Sequence, residues 1–292
     1  MTTEAIVQVL VSGLMMGLIY ALVAVGLSMI FGLMEVVNFA HGEFLMVAMY
    51  AMFGLVVFTG IDPILLTPVV AAIMFGFGAF AYLGVVRFAM RARKNQGMVQ
   101  IFATFGLAIL LQGLAQTFFS PDFRNLPKAV LAGKTLDIAG IFLPWPQIFG
   151  CAISLLAFLA LYLLMTRTDL GRALEATRED AGAVALVGID RNRVFMLGWG
   201  LGAALIGLAG AALSIFYYIH PQVGGTFALI AYVTVALGGF GSVFGALAAG
   251  LIVGLVEAVT TLILPASVKS LGIYVLYLSV VLIRPSGLFG RF

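Results

Sequence analysis

The segment Glu35-Val36-Val37-Asn38-Phe39-Ala40-His41-Gly42-Glu43 sets three ionisable side chains between two long apolar runs and holds neither Lys nor Arg. A carboxylate placed in lipid costs about 2.5–3.5 kcal/mol on insertion scales, so Glu35 and Glu43 must face protein, water or the membrane surface. Two arrangements meet that requirement. One is a plain turn in which Asn38 caps the next helix and Glu43 complements its positive end. The other is a broken helix whose polar residues Asn38, His41 and Glu43 line a cavity or a translocation path.

Few other residues could do chemistry. Glu257 is the one carboxylate deep in an apolar stretch, which requires that it be paired, protonated or close to an interface. Gln112 and Gln116, one helical turn apart, could bond across helices or line a path. The glycine-rich run Gly238-Gly239-Phe240-Gly241-Ser242-Val243-Phe244-Gly245 divides the stretch from Thr226 to Leu264 into two helices. Gly241 with Gly245 and Gly250 with Gly254 have the spacing that lets helices approach closely; a discontinuous helix serving the path, through Gly238, Gly239 and Gly241, is the other reading.

Catalytic signatures are missing. No metal-binding cluster occurs, and no serine or cysteine stands at a recognisable spacing from either histidine. Gly133-Lys134-Thr135 ends like a phosphate-binding loop, but Lys128 occupies the place of its required first glycine. The chain is therefore expected to be no ATPase, no enzyme, and to carry no cofactor of its own.

The elements that position these residues follow from composition. Of 292 residues, 63% are hydrophobic and 9% charged, against roughly 45–50% and about 25% in soluble domains. Mean hydropathy is +1.18. This predicts an all-α, polytopic transmembrane helical bundle, a single transmembrane domain over 1–292. A net charge of +3 does not point to nucleic acid, because the basic residues cluster in short loops between apolar runs. The single cysteine, Cys151, is expected to be a buried thiol. At about 20 residues per crossing, the intervals between charges give membrane segments at 6–32, 40–60, 64–86, 99–119, 145–166, 194–219, 226–240, 244–264 and 271–284. That is eight or nine segments, depending on whether 226–240 crosses or re-enters. The segment 121–144 reads as a short external loop with room for a hairpin.

Lys and Arg stay on the cytoplasmic side of short loops. With nine crossings and the first span beginning outside, that side holds Arg87, Arg91, Arg93, Lys94, Arg167, Arg172, Arg178, Arg191, Arg193, Arg284 and Arg291. Arg124, Lys128, Lys134 and Lys269 remain outside, a ratio of eleven to four. A re-entrant 226–240 changes it to ten to five. The largest cytoplasmic segment, 167–193, contains a helix-prone middle at 173–186 that ends at Gly188. A simple loop needs no amphipathic helix there, whereas a membrane subunit docking a soluble partner does.

Taken in order, Tyr20 to Leu27, Val37-Asn38-Phe39-Ala40-His41-Gly42-Glu43, Gly171-Arg172-Ala173 through Gly188-Ile189, Leu237 to Ser242, and Arg284-Pro285-Ser286-Gly287-Leu288-Phe289-Gly290 resemble the shorter permease of bacterial ATP-binding-cassette importers for branched-chain amino acids. The likeness runs over nearly the whole chain. Urea and amide permeases look similar around Asn38, so that segment marks the transporter class better than the solute. The resemblance implies a multi-pass protein of the bacterial inner membrane, with the lipid bilayer around it. It implies as partners a second permease in a heterodimer, two cytoplasmic ATP-binding subunits that carry ATP and Mg, and an external solute-binding protein. It also makes the stretch from Gly171 to Gly188 a coupling helix entering a groove on the ATPase, with Arg172, Glu175, Glu179, Asp180, Gly182, Ala185 and Leu186 along it. Other readings are an importer for urea, short amides or aromatic acids, or a self-sufficient channel or secondary transporter.

Overall fold

The computed structural model describes residues 3–92, 94–127, 129–138, 140–265, 268–284 and 286–289. Arg93, Lys128, Pro285, Gly290 and Arg291, which enter the charge and motif readings above, lie outside the described residues. The helices are α1 (Thr3–Met34), α2 (His41–Thr59), α3 (Pro63–Ala81), α4 (Arg87–Ala89), α5 (Gln96–Phe119), α6 (Trp145–Arg167), α7 (Asp169–Glu179), α8 (Ala183–Leu186), α9 (Arg191–Leu213), α10 (Val223–Gly238), α11 (Val243–Ile263) and α12 (Leu271–Ile283). A π-helical stretch at Tyr82–Val86 joins α3 to α4, so the two form one continuous rod. Among the described residues, seven helices are long and apolar enough to cross a bilayer, and α10 and α12 are shorter apolar helices. At 1.5 Å per residue their 16 and 13 residues reach only about 24 and 20 Å, less than the roughly 30 Å of a hydrocarbon core.

Local chemistry sets many of the boundaries. Asp62 caps α3, its carboxylate accepting the Ile64 N–H at 2.9 Å, with Pro63 at the first helical position. Asp190 caps α9 through the Asn192 N–H at 2.9 Å, and Ser242 caps α11 through the Gly245 N–H at 3.0 Å. Left-handed Gly60 ends α2, returning its N–H to the Val56 carbonyl. The 121–144 segment contains an antiparallel hairpin, β1 (Thr135–Ile138) with β2 (Ile141–Pro144).

α1 is the central post, and α11 runs antiparallel along it. A Cβ built on Gly13 would stand 2.8 Å from the Gly254 carbonyl oxygen, and one on Gly17 the same distance from that of Gly250. In lipid, where apolar surface gains nothing by association, such close backbone contact supplies the packing energy. The α9 helix fills the other flank, against α1, α2 and α3, and many of its residues are fully buried. By contrast α5, α6 and α12 present large exposed residues such as Phe102, Leu156 and Leu282 to the surroundings, the surface expected of helices that face lipid or another subunit.

The connections after α5 and α9 meet in a two-way backbone bridge between Arg124 and Ile219, 2.9 Å each way. At the opposite end, the Leu288 N–H donates to the Leu237 carbonyl at 2.7 Å, and Gly241 lies against Gly32 and Arg178. The 286–289 segment therefore stands on the same side as the Arg-rich 167–193 segment. This is the side the charge bias reads as cytoplasmic.

Candidate functional site

The Arg-rich segment is two helices rather than the single one expected over 173–186. α7 ends at Glu179 and α8 begins at Ala183. The break has a local cause: the Asp180 carboxylate accepts the N–H groups of Gly182 at 2.7 Å and Ala183 at 2.9 Å, starting a new turn. Those two N–H groups, Ala183 first, hold the exposed Asp180 carboxyl below the usual carboxylate range. The start of α7 is capped by the Thr168 hydroxyl, which accepts the Gly171 N–H at 3.0 Å, and Gly171 lies directly against the backbone of Leu164 and Met165.

This helix is anchored along one side only. Gly171, Leu174 and Thr177 recur every three residues and are buried against α6 and α9. Arg172, Glu175, Glu179 and Gly182 are exposed, with surface ion pairs from Arg172 to Asp169 and from Arg178 to Glu175. In α8 only Val184 is buried; Ala185 is exposed, and Leu186 and Val187 are 89% and 75% exposed. Gly188, at φ +84°, closes the segment, and the Ile189 N–H returns to the Val184 carbonyl. An apolar tip thus projects from a rigidly seated helix.

Arg178 reaches under the bundle to Gly241 and Gly32. Gly241 sits at φ +79° and Gly239 at φ +93°, a conformation that costs a side-chain-bearing residue. Gly238 packs on the backbone of Gly245. A small cavity of about 30 Å³ lies at this junction, touching Ser28, Leu174, Arg178 and Gly241. The glycine-rich turn and the α7 helix, separate in sequence, are in direct contact.

The polar segment 35–43 does not form a solvated turn. Its chain turns back into the bundle after Glu35, whose φ is +55°. His41, fully buried, holds the Val23 carbonyl through Nε2 at 2.9 Å. Val23 lies eleven residues before the end of α1 at Met34, roughly 16 Å along the axis at 1.5 Å per residue. α2 therefore starts well inside the helical layer. Asn38, 1% exposed, accepts the Ala40 N–H at 3.0 Å, and the Tyr232 hydroxyl donates to the carbonyls of Asn38 and Phe39 at 3.2 Å each. Gly42 meets the Gly224 backbone with no room for a Cβ, and Glu43 is 8% exposed beside them. Gln112, half-buried on α5, is not brought to this cluster and lines neither described cavity; Gln116 is exposed.

The larger cavity, about 370 Å³, opens on the other side of the bundle, between the first half of α1, the start of α6, the connection after α9 and the second half of α11. Glu257 sits in its wall. The Tyr20 hydroxyl donates to Glu257 Oε2 at 2.6 Å, and Lys269 Nζ lies 2.8 Å from Oε1. The sequence singled out Glu257 by its isolation, but neither partner carries a local signal. Tyr20 is 237 positions away, and Lys269 reads as an ordinary loop cation.

Residues 9–283 match the family described as the branched-chain amino acid transport system permease component. The chain belongs to this family of membrane permeases. It is 32% identical to the high-affinity branched-chain amino acid transport system permease protein BraD of Pseudomonas aeruginosa, over 97% of this chain and 95% of that one. It is 30% identical to the permease protein LivH of Escherichia coli K12, with the same shares covered. A probable LivH of Methanocaldococcus jannaschii is 27% identical over 82% of this chain and 76% of its own. No solved structure matches the chain.

Proposed function

We propose that this chain is the permease subunit of an ATP-driven importer for branched-chain amino acids in a bacterial inner membrane. A second permease completes the translocation path, an external binding protein delivers the solute, and two cytoplasmic subunits bind ATP and Mg and hydrolyse the nucleotide. The observation that carries the coupling part is the α7–α8 segment. Its apolar tip at Leu186 and Val187 is left uncovered, while its other face is seated on α6 and α9. Docked in a groove of an ATPase, that tip would be buried. Motion of the ATPase would then pass through α7 and Arg178 to the Gly241 turn and the end of α1. Re-aiming α1, α10 and α11 from one side to the other is alternating access. The names of the relatives support the branched-chain solute over urea, amides or aromatic acids.

The test is purification of the tagged full chain from its native membrane, identification of accompanying proteins, and leucine uptake by the reconstituted assembly with and without ATP. Recovery of two nucleotide-binding subunits and a second permease, with ATP-dependent leucine uptake, is expected. Recovery of the chain alone, still moving solute without ATP, overturns the reading in favour of a channel or secondary transporter.

A further inference from the structure

The 370 Å³ cavity falls in the size range of small-molecule sites, roughly 300–1,000 Å³, and its lining is unusual for a membrane interior. Among the described residues it holds one carboxylate and one ammonium, Glu257 and Lys269, and no other charged side chain. Glu257 is 7% exposed, and its carboxylate is fixed by the Tyr20 hydroxyl. The side chain of Lys269 is 46% exposed and belongs to the connection after α11. The same wall contains Gln147, whose Oε1 is buried with no hydrogen-bond partner. A buried acceptor left empty carries a free-energy penalty that a donor on a ligand would remove. Val9, Met16, Phe216 and Ala258 supply apolar surface beside these groups.

Resting on the branched-chain reading above, we propose that this cavity is a membrane-embedded binding site for the zwitterionic solute. The ammonium of the amino acid takes the place of Lys269 on Glu257 Oε1 and donates to Gln147 Oε1. Lys269, released, meets the carboxylate, while the aliphatic side chain lies on Met16, Phe216 and Ala258. The exchange conserves charge: one internal ion pair is replaced by two pairs with the solute, and the cavity remains neutral. A solute of net charge leaves one ion unpaired beside the nearly buried Glu257, and urea offers no ions to exchange. Opening the existing pair offsets much of the gain, which keeps binding weak enough for onward release.

The test uses Thr261→Cys, on the cavity wall, in a Cys151→Ala background, in membranes carrying the full chain with its accompanying subunits. Modification by a membrane-impermeant thiol reagent is timed with and without solute. Leucine at about 10 mM is expected to slow modification about tenfold for a site with Kd near 1 mM, whereas glutamate, lysine and urea leave the rate unchanged. Glu257→Gln and Lys269→Met are each expected to abolish protection, read as the ratio of the rates with and without leucine in the same variant, and Gln147→Leu to weaken it. Should Glu257→Gln fail to accumulate, Lys269→Met on the half-exposed connection carries the test. Equal rates with and without leucine overturn the proposal. So does leucine protection that survives both charge substitutions while the thermal midpoint falls, which marks the ion pair as structural only. Failure of the importer reading shows elsewhere, as absence of ATP-driven leucine uptake by the native assembly.

Discussion

Replacing Leu186 by Asp probes the proposed coupling surface with little cost to the fold. Leu186 is 89% exposed, so the substitution removes almost no packing, and surface changes of this kind stay within about 0.5 kcal/mol of stability. Docking is another matter. Complete burial of a leucine side chain contributes about 1.5–3 kcal/mol, and nearly all of it is still available when the tip enters a groove. Losing that contribution weakens association with the ATPase by about 10–150-fold, before the added penalty of desolvating a carboxylate. The assay is ATP hydrolysis by the reconstituted assembly, stimulated by loaded binding protein, beside an immunoblot for the chain in the membrane. Normal membrane levels with stimulation largely lost are expected, and Gly182→Arg, at the exposed break between α7 and α8, should act in the same direction. Val184→Asp, by contrast, strikes a buried residue and should lower the amount of chain. Undiminished stimulation in Leu186→Asp would refute the argument that this tip transmits the ATPase cycle.

Three further outcomes follow from the packing. Gly42→Val drives side-chain atoms into the Gly224 backbone, an overpacking expected to cost about 1–3 kcal/mol or more and to lower the thermal midpoint in detergent. Gly54→Val on the same helix, where a Cβ meets nothing within 4 Å, is the matched control and should change little. Gly241→Val combines a positive φ with crowding of Gly32 and Arg178; the chain should still insert, while stimulated ATP hydrolysis falls. For Asp180, the lowered carboxyl value means its cap on α8 is present above the ordinary carboxylate range and is lost as pH falls through and below it. Limited proteolysis between Glu179 and Gly188 should therefore be constant from pH 8 to 6, and Asp180→Ala should show a faster rate across that range.

The class of the protein was legible in its sequence because hydropathy and charge are local sums. Apolar runs of about 20 residues separated by Arg-rich loops require helices in lipid whatever their neighbours do. The hairpin lies within the polar segment between two spans that the sequence reads as an external loop. The break in α7–α8 was less legible. Residues 173–186 are all helix-compatible except Gly182, and the decision fell to one side chain, Asp180, competing for two backbone N–H groups.

What only the tertiary structure decided is where separate segments meet. Nothing in the run Asn38 to Glu43 states that His41 reaches the Val23 carbonyl deep in the bundle rather than turning in water. That depends on Gly42 clearing Gly224 and on Gly26 making room beside the ring. The contact of Arg178 with Gly241, and the meeting of Tyr20, Glu257 and Lys269, likewise join residues far apart in the chain. Glu257 announced itself from sequence because a carboxylate in lipid demands a partner. Its partners could be named only in the folded chain, where the glycine seam of α1 and α11 sets Tyr20 beside Glu257 and the connection after α11 brings Lys269 to the same cavity wall.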